Sequence, residues 1–258
     1  MIPLDPRFLS LPLAHRGLHD RAQGRPENSR AAMRAAIAGG YGIELDLQPS
    51  ADGVPMVFHD YRLGRLTGQE GAIRQHDAAT LGQIALNGGD EGIPTLAEIL
   101  ALVAGRVPLL IEVKDQDGAM GPDVGPLEAA AVAALQNYAG PVALMSFNPH
   151  SVAALRRAGA RCPVGLITAG YAPEDWPLLP EARRAELRGM AGIDALAPDF
   201  LSHEAADLGR PELAAQKARG LPVLCWTIRS PAAEAVARRV ADNITFEGYA
   251  AALPGAAA

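Results

Sequence analysis

The sequence contains only two cysteines, and they do not form a metal-binding pattern. Cys162 and Cys225 lie far apart, and neither has a second cysteine or a histidine at ligand spacing. Structural zinc sites normally draw their ligands from closely spaced pairs. The sequence therefore gives no sign of a thiol-held metal, and both side chains are predicted to be reduced packing residues.

Long apolar segments are also absent. No stretch is long and apolar enough to cross a membrane. Residues 1–7 lack the basic start and following apolar run of a signal peptide. We therefore expect a cytoplasmic protein without stable membrane association.

The chain has no excess of basic residues. It carries 23 Lys and Arg against 29 Asp and Glu, for a formal net charge of −6. Nucleic-acid binders usually present a basic surface, so no nucleic-acid partner is expected. A small anionic substrate remains compatible, because local cations matter more than total charge. Composition leaves the oligomeric state open.

What is present is a regular alternation of apolar strand-like and helix-like runs. The 258 residues are 49% hydrophobic, enough for a sizeable core. Eight principal strands are predicted to begin near residues 11, 42, 108, 142, 164, 195, 223 and 243. Eight alternating units favour an α/β protein of the TIM (β/α)8 barrel class.

The barrel prediction covers residues 1–258 as one domain. Residues 61–92 lack clear periodicity and are predicted to form a small insertion after the second strand. An open doubly wound sheet is the alternative. It is disfavoured because no Gly-x-Gly-x-x-Gly turn follows the first strand.

Three carboxylates fall late in the second and third predicted barrel strands. Glu44 and Asp46 are two residues apart, so they project from one face of a strand, and Glu112 ends the next strand. Active sites of such barrels lie at the carboxyl ends of the strands. An oxygen-only set predicts one divalent cation, Mg²⁺ or Ca²⁺. The alternatives are solvated acids on an exposed face and, for Glu112, an internal salt bridge with Lys114.

Two histidines flank these acids in the sequence. His15 follows the first strand and His59 follows the extended run 54–58. Histidine exchanges protons near neutral pH, so the pair is predicted to be the catalytic acid and base. The other four histidines, at positions 19, 76, 150 and 203, are predicted to lie on the surface without a role.

Two cations and two polar residues complete the predicted site. With Arg16 and Lys114, three carboxylates and one divalent ion sum to a charge of about +1, which matches a phosphodiester. Glu27 is expected to bond an active histidine or arginine, and Asn28 to contact the metal shell or the phosphate. The alternative for Asn28 is a helix N-cap, a role that Ser29 can also fill.

An ordered series of motifs resembles the glycerophosphodiester phosphodiesterases. In chain order they are His15-Arg16-Gly17, Pro26-Glu27-Asn28-Ser29, Glu44-Leu45-Asp46, Asp52-Gly53-Val54-Pro55, His59-Asp60, Glu112-Val113-Lys114 and Trp226-Thr227. The resemblance implies a TIM barrel with a divalent ion at Glu44, Asp46 and Glu112, a catalytic pair His15 and His59, and phosphate contacts from Arg16 and Lys114. It implies hydrolysis of glycerophosphodiesters to sn-glycerol 3-phosphate and an alcohol.

Positions that face the rest of the substrate are less defined. Phe147 and Trp226 end later strands and are expected to pack against glycerol carbons or to fill the barrel rim. Glu247-Gly248 replaces the acidic residue and proline usual in the family, and this position is expected to touch the alcohol. The alternatives are a phospholipase D-like enzyme acting on lysophospholipids and a barrel that binds phosphate without turnover.

Overall fold

Parallel strands form the centre of the protein, in a computed structural model that describes residues 1–255. The last three residues of the predicted domain, 256–258, lie outside the described residues. The strands are β1 (Leu13–Ala14), β2 (Gly42–Pro49), β3 (Pro55–Val57), β4 (Leu109–Val113), β5 (Val142–Ser146), β6 (Val164–Thr168), β7 (Leu201–Glu204), β8 (Val223–Ile228) and β9 (Asn243–Phe246).

The sheet closes on itself. β1 pairs in parallel with β2 on one side and with β9 on the other, and the remaining barrel neighbours are also parallel. β3 lies outside this ring and pairs antiparallel with β2. Eight parallel strands with helices between them form a TIM barrel, which confirms the predicted fold class.

In residues 1–255, ten α-helices surround the strands or cap the barrel. They are α1 (Arg7–Ser10), α2 (Arg30–Ala38), α3 (Ala78–Leu81), α4 (Leu96–Val103), α5 (Pro126–Leu135), α6 (Pro149–Arg157), α7 (Glu181–Arg188), α8 (Ile193–Leu196), α9 (Pro211–Ala218) and α10 (Pro231–Ala237). None of the helices in residues 1–255 combines the length and apolar character needed to cross a membrane.

Local sequence explains where α2 begins and ends. Ser29 Oγ accepts a hydrogen bond from the amide of Ala32, which makes Ser29 the N-cap. The helix buries Ala32, Met33 and Ala36 against the barrel and stops at two glycines. The N-cap thereby fixes the point at which the loop between β1 and α2 ends.

The apolar core has an outer and an inner layer. The outer layer lies between strands and helices and includes the free thiol of Cys225. The inner layer fills the barrel and consists of residues that include Leu13, Leu110, Phe200 and Leu224. This filled interior forms a solid floor under the carboxyl ends of the strands.

The insertion has an apolar cluster of its own. Residues 61–92 contain a 3₁₀ turn (Ile73–Gln75) and α3. Their buried side chains pack with Met56 and Phe58, and the cluster comprises Met56, Phe58, Leu63, Leu66, Ile73, Leu81, Leu86 and Ile93. The insertion is therefore packed beside β3 rather than extended into solvent.

One predicted strand is wrong. The sixth barrel strand is not at 195–198, where α8 ends and Ala197 adopts a left-handed φ of 46°. The strand is β7, whose sequence Leu-Ser-His-Glu has more polar residues than a strand buried in a barrel usually has. Its pairing with β6 and β8 fixes it there, and its histidine has a buried hydroxyl partner, Thr168 Oγ1 at 2.7 Å from His203 Nδ1.

Candidate active site

The three predicted metal ligands converge above the barrel floor. β2 and β4 are neighbours with Asp46 opposite Glu112, and Glu44 lies two residues before Asp46 on the same face. One carboxylate oxygen from each residue lies within 4.8 Å of the other two. All three side chains are buried.

Burial makes this acidic cluster electrostatically costly. Desolvation, and then the charges of Asp46 and Glu112, raise the pKa of Glu44 well above its usual range. The pKa of Asp46 is lowered instead: burial opposes this shift, but Lys114, His59 and Arg16 outweigh it. A compact set of three buried hard oxygen donors fits a divalent cation.

Two cations of the chain lie against the same acids. Lys114 Nζ is 2.8 Å from Asp46 Oδ1 and 2.7 Å from Glu112 Oε1. Arg16 Nε is 3.4 Å from Asp46 Oδ2, and the backbone amide of Arg16 donates to Glu44 Oε2 at 3.0 Å. Both cations therefore line the cavity beside the acids.

The β1–α2 loop supplies the next layer of contacts. Glu27 Oε1 accepts a hydrogen bond from Arg16 Nη1 at 2.6 Å. Asn28 has a left-handed φ of 58°, and its Nδ2 donates to Asp46 Oδ2 at 2.8 Å. Asn28 thus contacts a predicted metal ligand, while the N-cap of α2 is Ser29.

His15 is held by an acid from the other end of the chain. Its Nδ1 lies 2.5 Å from Glu247 Oε2, and its Nε2 lies 4.0 Å from Glu44 Oε2. Burial lowers the pKa of His15, and the hydrogen bond to Glu247 opposes that shift. Arg229 Nε also donates to Glu247 Oε1 at 2.8 Å. The carboxylate fixes the ring and directs Nε2 toward the acidic cluster.

His59 has a similar arrangement. Its Nδ1 lies 2.6 Å from Asp60 Oδ1, and its carbonyl accepts a hydrogen bond from Gln48 Nε2 at 3.0 Å. Arg65 Nε donates to Asp60 Oδ2 at 2.6 Å. Each predicted catalytic histidine is therefore oriented by a carboxylate that is itself bound by an arginine.

One cavity connects these groups. Its volume is about 660 Å³, and its polar lining includes both histidines, Arg16, Lys114 and two of the three acids, Glu44 and Glu112. The apolar lining comprises Met120, Met145, Phe147, Ile167, Trp176 and Trp226. The cavity is large enough for a small phosphodiester with room beside it.

Three aromatic rings form a continuous part of the apolar lining. The ring centroids of Phe147 and Trp176 are 5.0 Å apart, and those of Phe147 and Trp226 are 5.4 Å apart. Trp226 Nε1 donates to the carbonyl of Ser202 at 3.1 Å, which fixes the indole. Phe147 and Trp226 pack against each other and also face the cavity.

Sequence reasoning missed several residues that contact the site. Glu247 holds His15 and does not project freely at the rim, while Trp176 and Arg65 come from segments without periodic signals. Asp60 could have been found from its place beside His59 in the motif. The surface prediction for His203 is wrong, because this side chain is fully buried against Thr168.

Known proteins match most of this chain. A model of the glycerophosphoryl diester phosphodiesterase family matches residues 15–244. A glycerophosphodiester phosphodiesterase of Caldanaerobacter subterraneus subsp. tengcongensis is 29% identical over 177 residues, covering 65% of this chain and 70% of that protein. Human glycerophosphodiester phosphodiesterase 1 is 38% identical over 108 residues, covering 38% of this chain and 31% of that protein.

Solved structures give the same picture for the fold. A phosphodiesterase of Oleispira antarctica, solved in complex with the product sn-glycerol-3-phosphate, superposes with a TM-score of 0.73 at 25% identity. The match covers 92% of this chain and 93% of that one. A glycerophosphodiester phosphodiesterase of Thermotoga maritima has a TM-score of 0.69 at 21% identity, over 92% of this chain and 94% of that one.

Proposed function

Because the chain belongs to the glycerophosphoryl diester phosphodiesterase family, we propose that it hydrolyses glycerophosphodiesters to sn-glycerol 3-phosphate and an alcohol. The observation that supports this most directly is that two cations, two histidines and two acids of the three-carboxylate cluster line one cavity. The substrate is a small molecule. A cytoplasmic location is part of the same proposal.

The acidic cluster would hold one divalent cation, Mg²⁺ or Ca²⁺. Glu44, Asp46 and Glu112 offer the oxygen ligands. When bound, the ion would supply positive charge that stabilises the phosphate oxygens as negative charge grows on them. Asn28 would keep the Asp46 carboxylate oriented through its hydrogen bond to Oδ2.

Arg16 and Lys114 would bind the phosphate. Both side chains line the cavity beside the acids, and Glu27 holds the Arg16 guanidinium. A singly charged phosphodiester would meet a site whose own charges are close to balanced once a divalent ion is present. The chain therefore binds the substrate by charge and fixes its orientation through a planar guanidinium.

Two proton transfers complete the reaction. We assign His15 as the base that removes a proton from the nucleophile, and His59 as the acid that protonates the departing alcohol oxygen. Glu247 and Asp60 hold the Nδ1 sides of the two rings, which leaves Nε2 for the substrate. The nucleophile is water or the neighbouring glycerol hydroxyl, and transient cyclic phosphate would identify the second route.

The apolar lining supports a second candidate substrate class, the lysophospholipids. Met120, Phe147, Trp176 and Trp226 face the same cavity as the polar groups and could hold the start of an acyl chain. Comparing glycerophosphocholine with its long-chain acyl derivative separates the two classes. If the acyl substrate is preferred, Trp176→Ala should reduce its turnover and leave glycerophosphocholine turnover nearly unchanged.

A panel of glycerophosphodiesters with different head groups tests the proposed function. Released sn-glycerol 3-phosphate is measured with Mg²⁺, with Ca²⁺ and after chelation. We expect product only with an ion, and a loss of about a hundredfold or more in His15→Ala. Product formation that survives both chelation and His15→Ala would rule out this mechanism.

A further inference from the structure

Arg65 belongs to the insertion, yet its guanidinium binds two carboxylates at the edge of the active site. Nε and Nη2 donate to Asp60 Oδ2 and Oδ1 at 2.6 and 2.8 Å. Nη1 and Nη2 donate to Glu27 Oε2 and Oε1, both at 2.8 Å. Each carboxylate receives two hydrogen bonds, a pattern that the arginine fork can supply and a lysine ammonium cannot.

The two carboxylates themselves hold functional groups of the site. Asp60 lies 2.6 Å from Nδ1 of His59, and Glu27 accepts a hydrogen bond from Arg16 at 2.6 Å. A continuous chain of hydrogen bonds therefore joins His59, Asp60, Arg65, Glu27 and Arg16. Its two ends are the histidine assigned to the leaving group and the arginine assigned to the phosphate.

A packed turn places Arg65. The flanking side chains Leu63 and Leu66 are buried in the apolar cluster of the insertion. Thr67 Oγ1 and the amide of Leu66 both bond back to the carbonyl of Leu63, at 3.0 and 3.2 Å. The backbone is thus fixed on both sides of Arg65, and its planar guanidinium loses less conformational freedom per hydrogen bond than a lysine ammonium would.

We propose that Arg65 is a positioning residue, through which the insertion sets the spacing between the His59 imidazole and the Arg16 guanidinium. The proposal rests on the proposed function, which assigns those two groups to one substrate. Arg65 acts through Asp60 and Glu27 and does not itself touch the reacting atoms. Misplacement of either end by about 1 Å is enough to cost roughly a hundredfold in rate.

The alternative is that Arg65 only ties the insertion to the barrel. Half of the Arg65 side chain is exposed to solvent, and exposed ion pairs add little to stability. The insertion already has its own buried cluster to hold it in place. Positioning therefore predicts a large loss of activity with a small change in stability.

The test compares Arg65→Ala and Arg65→Lys with the matched control Arg74→Ala, an exposed arginine of the same insertion. We expect kcat/KM of Arg65→Ala to fall about ten- to a hundredfold, with a rise in KM. Millimolar guanidinium should restore much of that loss and should not affect the wild type. Arg65→Lys should be intermediate, and Arg74→Ala should match the wild type.

A second readout is independent of turnover. Long-range ¹H–¹⁵N spectra of the histidine rings, assigned with His59→Gln, report the tautomer of His59. We expect one fixed tautomer in the wild type and an averaged signal in Arg65→Ala. If Arg65→Ala does not fold, the comparison is made on Arg65→Lys.

Wild-type kinetics together with a wild-type His59 signal in the Arg65 variants would overturn the proposal. A loss of activity that guanidinium does not restore, with the His59 signal unchanged, would overturn it as well. If the wild-type protein hydrolyses no glycerophosphodiester, the proposed function fails instead. The ring spectra would then still decide whether Arg65 positions His59.

Discussion

At the scale of single residues, the site is a balance of buried charges. Glu44 has little solvent to support its charge and two other carboxylates beside it, so its pKa is raised. Lys114 offsets part of the negative charge of Asp46 and Glu112, with its ammonium within 2.8 Å of each. Burying these acids together therefore costs folding stability, and we attribute their proximity to function.

This balance predicts opposite effects of Glu44→Gln on stability and activity. The amide keeps the shape and can still accept from the Arg16 amide, but it removes one repelling charge. Without metal, we expect the variant to melt about 2–4 °C higher, equivalent to roughly 1 kcal/mol. Metal-dependent activity should fall by about a hundredfold or more.

Calorimetry and a metal titration check the Glu44→Gln prediction. Added Mg²⁺ or Ca²⁺ should raise the melting temperature of the wild type and have little effect on the variant. A variant that melts lower than the wild type without metal would contradict the repulsion argument. Equal metal-induced shifts in the two proteins would show that Glu44 is not a ligand.

Glu247 gives a second prediction at this scale. Its carboxylate lies on His15 Nδ1, and His19 Nε2 lies 3.5 Å from its Oε2. The hydrogen bond with His15, together with the nearby His19 ring, lowers the pKa of Glu247, so it is ionised at neutral pH. Glu247→Gln removes the charge that stabilises a protonated His15. We expect kcat to fall about a hundredfold with KM little changed.

Steady-state kinetics measure this effect, with Glu181→Gln on the exposed start of α7 as control. The control should behave as the wild type. If kcat is unchanged in Glu247→Gln, Glu247 does not support His15. A rise in KM without a change in kcat would show that Glu247 contacts the substrate instead.

At the scale of elements, the β1–α2 loop determines where the first site residues lie. Arg16 and Gly17 both have positive φ, at 55° and 79°. The Gly17 amide donates to the carbonyls of Ala14 and Glu44, which ties the loop to β1 and β2. An added Cβ at Gly17 would lie 2.9 Å from backbone and side-chain atoms of Ala32 in α2.

Gly17→Ala should therefore be strongly destabilising. Backbone strain and overlap with α2 together should lower the free energy of unfolding by about 2–4 kcal/mol. Gly53→Ala is the matched control, since Gly53 has the same φ of 79° and no atom of residues 1–255 beyond its chain neighbours lies within 4 Å of the added Cβ. Urea unfolding of both variants separates strain from overlap, and equal losses would contradict the close-contact argument.

The elements also show what the sequence could reveal. Barrel strands with apolar residues on both faces, such as β4 and β5, were predictable because burial on both sides leaves a continuous apolar run. β7 was misplaced because pairing and a buried hydroxyl partner stabilise its polar residues, and neither is visible in a local window. Whether this segment forms a strand is therefore decided by its pairing with β6 and β8.

At the scale of the whole molecule, closure of the barrel brings the two ends of the chain together at the site. β1 lies between β2 and β9, so His15 from the first strand meets Glu247, which follows the last. Short local motifs predicted the acids and histidines. The contacts of Glu247 and Arg65 depend on long-range packing, so only the folded chain reveals them.

The most direct test of the central claim follows the phosphorus signals of a glycerophosphodiester by ³¹P NMR during incubation with the protein. With Mg²⁺ or Ca²⁺, we expect the diester signal to give way to that of sn-glycerol 3-phosphate. Chelation should stop this conversion, and Glu44→Gln should slow it by about a hundredfold or more. If Glu44→Gln converts the diester at the wild-type rate in the absence of a divalent ion, the proposed metal-dependent hydrolysis is wrong.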